Sequence, residues 1–242
     1  MSRIEQIHEQ ELLISPSISD AAGKLSYHDA FNVFMDIAAA HAQELGVGLY
    51  DLAARDLFWL TVKTQIRFFE RPAMMDRITV RTWPEAPGKV RGSRSYELRR
   101  GGKLLIAGKT EWAVINTKTK QLSLMSDVYP PSLSYPEGSA CPGPFARISD
   151  DFSGADVFSR YTVRSTDIDV GGHMNNAAYV RAMLGCFSNE ALAQMQISRI
   201  DVVFRSPCFE GETLEIRKKR NESGLDLCLS NAGTACVLAR IN

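Results

Sequence analysis

What this chain lacks narrows its function before any motif is considered. It has no net charge, because 28 Lys and Arg are matched by 28 Asp and Glu. That balance argues against a surface built as a whole for nucleic acid. No apolar run approaches the ~18 residues of a membrane-spanning helix. The opening stretch MSRIEQIHEQELLI is broken by acidic residues and has no long apolar core, unlike a secretory signal. Cysteine is scarce: there are five, at 141, 186, 208, 228 and 236, with no CxxC pair. An odd number without such spacing points to reduced thiols in a cytoplasmic protein. There is no phosphate-cradling GxxxxGK[ST] loop and no zinc-type Cys/His spacing, so neither cofactor nor metal is expected.

What remains is ordinary globular material, 45% hydrophobic and 23% charged over 242 residues. That length suits one large or two small domains. Residues 1–125 hold 17 basic and 14 acidic residues; 126–242 hold 11 and 14, so the halves carry +3 and −3. The segment 126–158 has one basic and five acidic residues and five of the ten prolines. Proline lacks a donor and fixes φ, so this segment reads as an extended connector.

The chain on either side follows one plan. Apolar residues at Phe31, Phe34, Met35, Ala38 and Ala42 recur at helical spacing and predict a helix over 28–45, stopped by Gly46 and Gly48. Alternating runs predict strands at 58–69, 77–83, 93–100, 103–116 and 121–125, with a hairpin at Gly101-Gly102. The second half predicts a strand at 159–165, a polar turn, a helix over 177–187, and strands at 199–206, 212–220, 225–231 and 235–241. Residues 65–81 line up with 200–217 if one residue is inserted, and Pro72 then falls on Pro207. The expected class is α+β: two units, 1–125 and 159–242, each an antiparallel sheet wrapped around a long helix. Strands joined by hairpins, with no alternating βα pattern, argue against a doubly wound parallel sheet.

Chemistry concentrates in Asp167-Ile-Asp-Val-Gly-Gly-His-Met-Asn-Asn176. Gly171 and Gly172 permit tight turns and close ligand approach. Asn175 or Asn176 can cap the helix that follows. The free N–H groups at such a helix start, near Gly172, His173 and Met174, can hold a carbonyl oxygen as it gains charge. A nearby carboxylate can act as general base on water or as nucleophile. Asp167 and Asp169 can equally be turn residues, and His173 a structural histidine. Crowding of these groups into ten residues favours a site.

The string D-x-D-x-x-x-H-x-N-N-x-x-Y followed by a helix resembles the active-site segment of the acyl-acyl-carrier-protein thioesterases, enzymes of tandem hot-dog fold. Further resemblance lies in FWLTVKTQIRF, Thr82-Trp83, 91–100, 111–125 and VVFRSPCFEGETL (203–214), so it covers most of the chain. It implies a thioester hydrolase releasing fatty acid from acyl carrier protein in fatty acid biosynthesis. Asp169 falls on the family's catalytic aspartate and His173 on its histidine, with Asn175 nearby. Gly171 stands where the family usually has Asn, and Pro207 where an acidic residue is usual. Cys208 matches a cysteine of the plant enzymes, and Glu210 is a candidate replacement carboxylate. The acyl slot would lie in the first unit, lined by Phe31, Phe34, Met35, Trp59 and Phe68.

The implied partner is an acylated carrier protein, itself acidic, presenting its phosphopantetheine arm. Basic clusters at Arg91, Arg94, Arg99, Arg100 and Lys103 and at 217–220 are candidate docking surfaces. No nucleic acid and no membrane insertion are expected, and the chain would be a monomer or homodimer. Two other readings stay open: an acyl-CoA thioesterase, and a non-catalytic acyl-binding protein.

Overall fold

The computed structural model describes residues 6–242. The chain divides between Gly143 and Pro144 into two compact units. The N-terminal unit contains β1 (His8–Leu13), α1 (Tyr27–Glu44), α2 (Leu49–Ala53), β2 (Leu57–Phe68), β3 (Arg77–Pro84), β4 (Gly92–Arg100) and β5 (Lys103–Asn116). Its strands run in the order β1-β3-β4-β5-β2, and each pairing is antiparallel. The C-terminal unit contains β6 (Val157–Thr162), α3 (Asn176–Leu184), α4 (Asn189–Met195), β7 (Arg199–Phe204), β8 (Thr213–Asn221), β9 (Gly224–Asn231) and β10 (Thr234–Ile241). Their order, β6-β8-β9-β10-β7, repeats that of the first unit strand for strand.

Local chemistry explains the central helices. The Ser26 hydroxyl accepts the Asp29 N–H at 3.1 Å and starts α1. Ala30, Phe31, Val33, Phe34, Ile37, Ala38, His41 and Ala42 form its buried face. The chain turns away at Gly46, where φ is +69°. Phe34 stacks on Tyr96 of β4 with ring centroids 4.4 Å apart. The same ring lies directly on Gly108 of β5, where an added Cβ would meet Phe34 Cε2 at 2.1 Å. Glycine there lets a helix side chain touch the sheet backbone. In α3, seven of nine residues are buried.

Several segments differ from expectation. Residues 121–125 form no strand: Asn116 Oδ1 accepts the Lys118 and Thr119 N–H groups, the chain turns through Lys120 at φ +60°, and only the bridge Ile115–Leu122 remains. The helix expected over 177–187 stops at Leu184, and Ser188 caps the separate helix α4. Periodicity missed α4 because none of its residues is buried. Strand β1 and the five-residue α2 were also missed. Residues 130–156 contain no helix or strand. Val128, Tyr129 and Leu133 pack against Leu45, Leu52 and Val114, whereas Phe152 packs against Cys228 and Leu238. No described helix is long and apolar enough to cross a membrane.

Gly108→Ala is expected to lower stability by about 1–3 kcal/mol through overpacking against Phe34. Urea unfolding measures it, and an unchanged midpoint would show that helix and strand are not in tight contact.

Candidate functional site

The segment 165–176 is built from its own hydrogen bonds. A 3-10 turn, Ser165–Asp167, leads into the bridge Ile168–Met174, which closes a small loop before α3. Asp167 clasps the loop's base. Its side chain is almost fully buried; Tyr161 donates its hydroxyl at 2.7 Å, the Arg164 N–H donates at 2.9 Å, and Arg181 of α3 donates at 2.5 Å. Its own carbonyl accepts the Asn175 N–H at 2.8 Å, tying the loop's start to the helix cap. Burial pushes the Asp167 carboxyl up, but these donors and the Arg181 charge outweigh it and hold the group below the usual carboxylate range.

Asp169 is in a different position. Its Oδ1 accepts the Gly171 N–H at 2.8 Å, and its N–H donates to the His173 carbonyl at 3.0 Å. No described residue bonds to its Oδ2, and the residue is half-buried. His173 is half-buried on the same loop. Its Nδ1 lies 3.3 Å from the Met174 carbonyl, which can only accept; with Nδ1–H donating there, the neutral ring presents its Nε2 lone pair. Asn175 is the helix cap: its Oδ1 accepts the Ala177 N–H at 2.8 Å.

Two of the three backbone donors expected to hold an oxyanion are already engaged. Gly172 N–H donates to the Asp169 carbonyl at 3.0 Å and Met174 N–H to the Cys208 carbonyl at 2.8 Å. His173 N–H is the one of the three with no acceptor among the described residues.

Cys208 is fully buried, and its N–H donates to the Tyr179 hydroxyl at 2.8 Å. A hydrogen bond with Cys236 and burial push the Cys208 thiol up, which disfavours a nucleophilic thiolate. The charge of Glu212 also acts on this pair, and its Oε2 accepts the Phe209 N–H at 2.8 Å; Glu210 is exposed on the turn. Of the expected slot liners, Phe31, Phe34 and Phe68 are built into the core, while Met35 and Trp59 keep some exposure. The basic cluster of the first unit is largely neutralised. Arg91 pairs with Glu111, Arg99 with Glu97, Arg100 with Glu70 and Asp76, and Lys103 with Glu70. Arg94 is buried.

The same loop exists in the N-terminal unit. Asp20 N–H donates to the Lys24 carbonyl, Gly23 N–H to the Asp20 carbonyl, and Ser26 N–H to the Ile18 carbonyl, at 2.8, 2.9 and 2.9 Å. Asp20 Oδ1 accepts the Ala22 N–H at 3.0 Å, as Asp169 Oδ1 accepts Gly171. Asp20, Gly23, Lys24 and Ser26 thus stand where Asp169, Gly172, His173 and Asn175 stand in the second unit. Leu25 N–H donates to the Pro72 carbonyl as Met174 does to Cys208, so Pro72 corresponds to Cys208 and not to Pro207. The matching turns agree: Ala73 N–H donates to Asp76 as Phe209 N–H does to Glu212, and Met75 and Gly211 both have positive φ. Pro207 therefore corresponds to Arg71. Arg71 forms an ion pair with Asp20, and a proline offers Asp169 no such partner.

Asp167→Asn keeps the shape of the clasp and removes its charge. A carboxyl held low in the folded state adds stability that is fully present above its unfolded value near ~3.9 and fades as pH falls through the folded value. The variant is expected to be about 1.5–3 kcal/mol less stable at neutral pH, with the gap narrowing below about pH 4. Urea unfolding at both pH values measures this, and a gap independent of pH would refute it.

Comparison with known proteins places this architecture. The family model for the acyl-ACP thioesterase N-terminal domain matches residues 5–130, and that for the C-terminal domain matches 152–241. A chloroplastic acyl-[acyl-carrier-protein] hydrolase of Cuphea viscosissima is 28% identical over 207 residues, covering 78% of this chain and 49% of the relative. A chloroplastic oleoyl-acyl carrier protein thioesterase of Coriandrum sativum is 22% identical over 203 residues, 76% of this chain and 54% of the relative. The chain thus spans about half the length of these curated relatives. Among solved structures, an acyl-ACP thioesterase from Bacteroides thetaiotaomicron superposes with a TM-score of 0.82 at 22% identity, over 98% of this chain and 97% of that one. The 12:0-ACP thioesterase of Umbellularia californica gives 0.83 at 20% identity, with the same coverage. These structures share the fold, two tandem hot-dog units, and the two family models account for most of the sequence. The chain belongs to the acyl-ACP thioesterase family.

Proposed function

We propose that this protein hydrolyses the thioester of an acylated acyl carrier protein and releases the fatty acid, with Asp169 and His173 as the reacting groups. The observation that carries this reading is the contrast between the duplicated loops. Asp20 is occupied by Arg71, whereas Asp169 has no side-chain partner among the described residues and keeps Oδ2 without a hydrogen bond, on the same loop as His173. Family membership and the printed names of the curated relatives support the substrate class.

In the proposed step, Asp169 Oδ2 takes a proton from water as the oxygen adds to the thioester carbon. His173 Nε2 accepts the second water hydrogen bond and orients the attack. The His173 N–H, without a backbone acceptor, is the donor for the developing oxyanion. Collapse breaks the C–S bond, and the proton held by Asp169 passes to sulfur, so the carrier leaves as a thiol and the acyl group as an acid. With all five cysteines free, a reducing, cytoplasm-like compartment fits the protein.

The test is turnover of acyl-carrier-protein and acyl-CoA thioesters of graded length. Asp169→Ala and His173→Ala should each lower kcat/KM about 10²–10⁴-fold, while Asp20→Ala leaves it unchanged. Preference for CoA substrates would replace the carrier-protein reading; binding without turnover would make this an acyl-binding protein. Full activity in Asp169→Ala would overturn the site. Pro207→Arg, which places a cation where Arg71 stands in the first unit, is expected to cut kcat/KM roughly tenfold by lowering the basicity of Asp169. An unchanged rate would show that Pro207 does not keep that carboxylate free.

A further inference from the structure

The inner face of the N-terminal sheet is not uniformly apolar. Strand alternation places Arg94, Tyr96 and Leu98 of β4 on one side, and Phe34 of α1 stacks on Tyr96. Register sets Thr110 opposite Arg94, Thr64 opposite Thr110, and Thr82 opposite Tyr96. At one end this face carries Val80, Leu98, Ile106 and Ile66; at the other it carries Thr82, Arg94, Thr110 and Thr64, all buried.

Arg94 is 3% exposed. Its Nη1 donates to His41 Nδ1 at 3.0 Å and to Thr82 Oγ1 at 3.3 Å, and its charge acts on the nearby Tyr129 hydroxyl. Both of these bonds run from Nη1, so other N–H groups of the guanidinium are left for a further acceptor. Tyr129 and Thr82 are neutral, and no described carboxylate forms an ion pair with Arg94. A buried cation without a counter-ion is costly, and a guanidinium does not shed its proton. A second observation points the same way. The Tyr96 hydroxyl and Trp112 Nε1 are buried and complete no hydrogen bond, although the hydroxyl lies near Thr110 and Trp112. Burial pushes the Tyr96 phenol up to about 12, so it stays a donor. Half-buried aromatics adjoin Tyr129: Trp59 and Tyr135 lie 5.8 and 6.1 Å from its ring, and Trp112 lies 5.9 Å from Trp59. A methyl-ended chain reaching Arg94 would shield it further from water and give it nothing in return.

We propose that the interior of the N-terminal unit is a carboxylate-binding site, and that an acyl chain entering past Trp59 and Trp112 ends on Arg94 through a carboxylate at its far end. The Tyr96 hydroxyl and the Trp112 N–H complete the anion's hydrogen bonds. The preferred substrates are then monothioesters of dicarboxylic acids. The inference rests on the thioesterase reading for the placement of the chain, but its test is binding, which needs no turnover.

Chains of one length are compared by quenching of tryptophan fluorescence. One is a methyl amide with a terminal carboxylate, one a methyl amide with a terminal methyl, and one the free monocarboxylic acid. The carboxylate-ended amide is expected to bind at least tenfold tighter than the methyl-ended amide. Arg94→Met should erase that preference and Arg94→Lys should keep part of it. Equal or weaker binding of the carboxylate-ended amide to the unmodified protein overturns the proposal, whatever the variants do. A preference that survives in folded Arg94→Met also overturns it. Equally tight, Arg94-dependent binding of the free acid would make the released product the source of the carboxylate and overturn the assignment to the far end. Absence of turnover with the binding preference intact would count against the hydrolase reading alone.

Discussion

The buried carboxylate of Asp167 is the constraint on which the site depends. A charge this deeply buried must be met by donors from every side, and here Tyr161 of β6, the Arg164 backbone and Arg181 of α3 meet it. These three come from before, within and after the loop, so satisfying one carboxylate fixes a strand, a turn and a helix relative to one another. The Asp167 carbonyl then holds the Asn175 N–H, and the intervening loop has little freedom left. Asp169 and His173 are displayed from that frame.

Duplication makes the frame visible. The two units share the same loop hydrogen bonds and the same strand order, yet differ in what the loop presents. In the first, Arg71 occupies Asp20, and Lys24 stands where the second has His173. In the second, Pro207 offers no cation, so the carboxylate keeps an oxygen for other partners. The backbone of the loop is a matter of folding; its chemistry turns on single side chains. The first unit has in turn acquired a buried arginine on its inner sheet face.

Much of this was readable from the amino acids. The α1 helix follows from its apolar period and its Ser26 cap, and the β4–β5 hairpin from Gly101-Gly102. The segment 167–176 stands out because acids, an imidazole and glycines crowd together. Other features were hidden. Leu122 and Leu124 read as part of a strand, but the Asn116 turn leaves room for a single bridge. Arg94 looked like one member of a basic cluster, since alternation shows that neighbours face opposite ways without showing which way is inward. Sequence alignment placed Pro72 on Pro207, and only the hydrogen bonds of the turns moved it to Cys208.

By itself, the sequence determined the class of fold, the duplication and the ten residues of the candidate site, because periodicity and turn chemistry are local. The tertiary structure alone decided which aspartate is buried among donors and which keeps an oxygen without a partner. Asp167 and Asp169 are two residues apart in the same turn and chemically identical. One is buried because Tyr161 and Arg181, distant in sequence, converge on it. The other keeps an oxygen without a partner, and the position that could have supplied a cation is a proline.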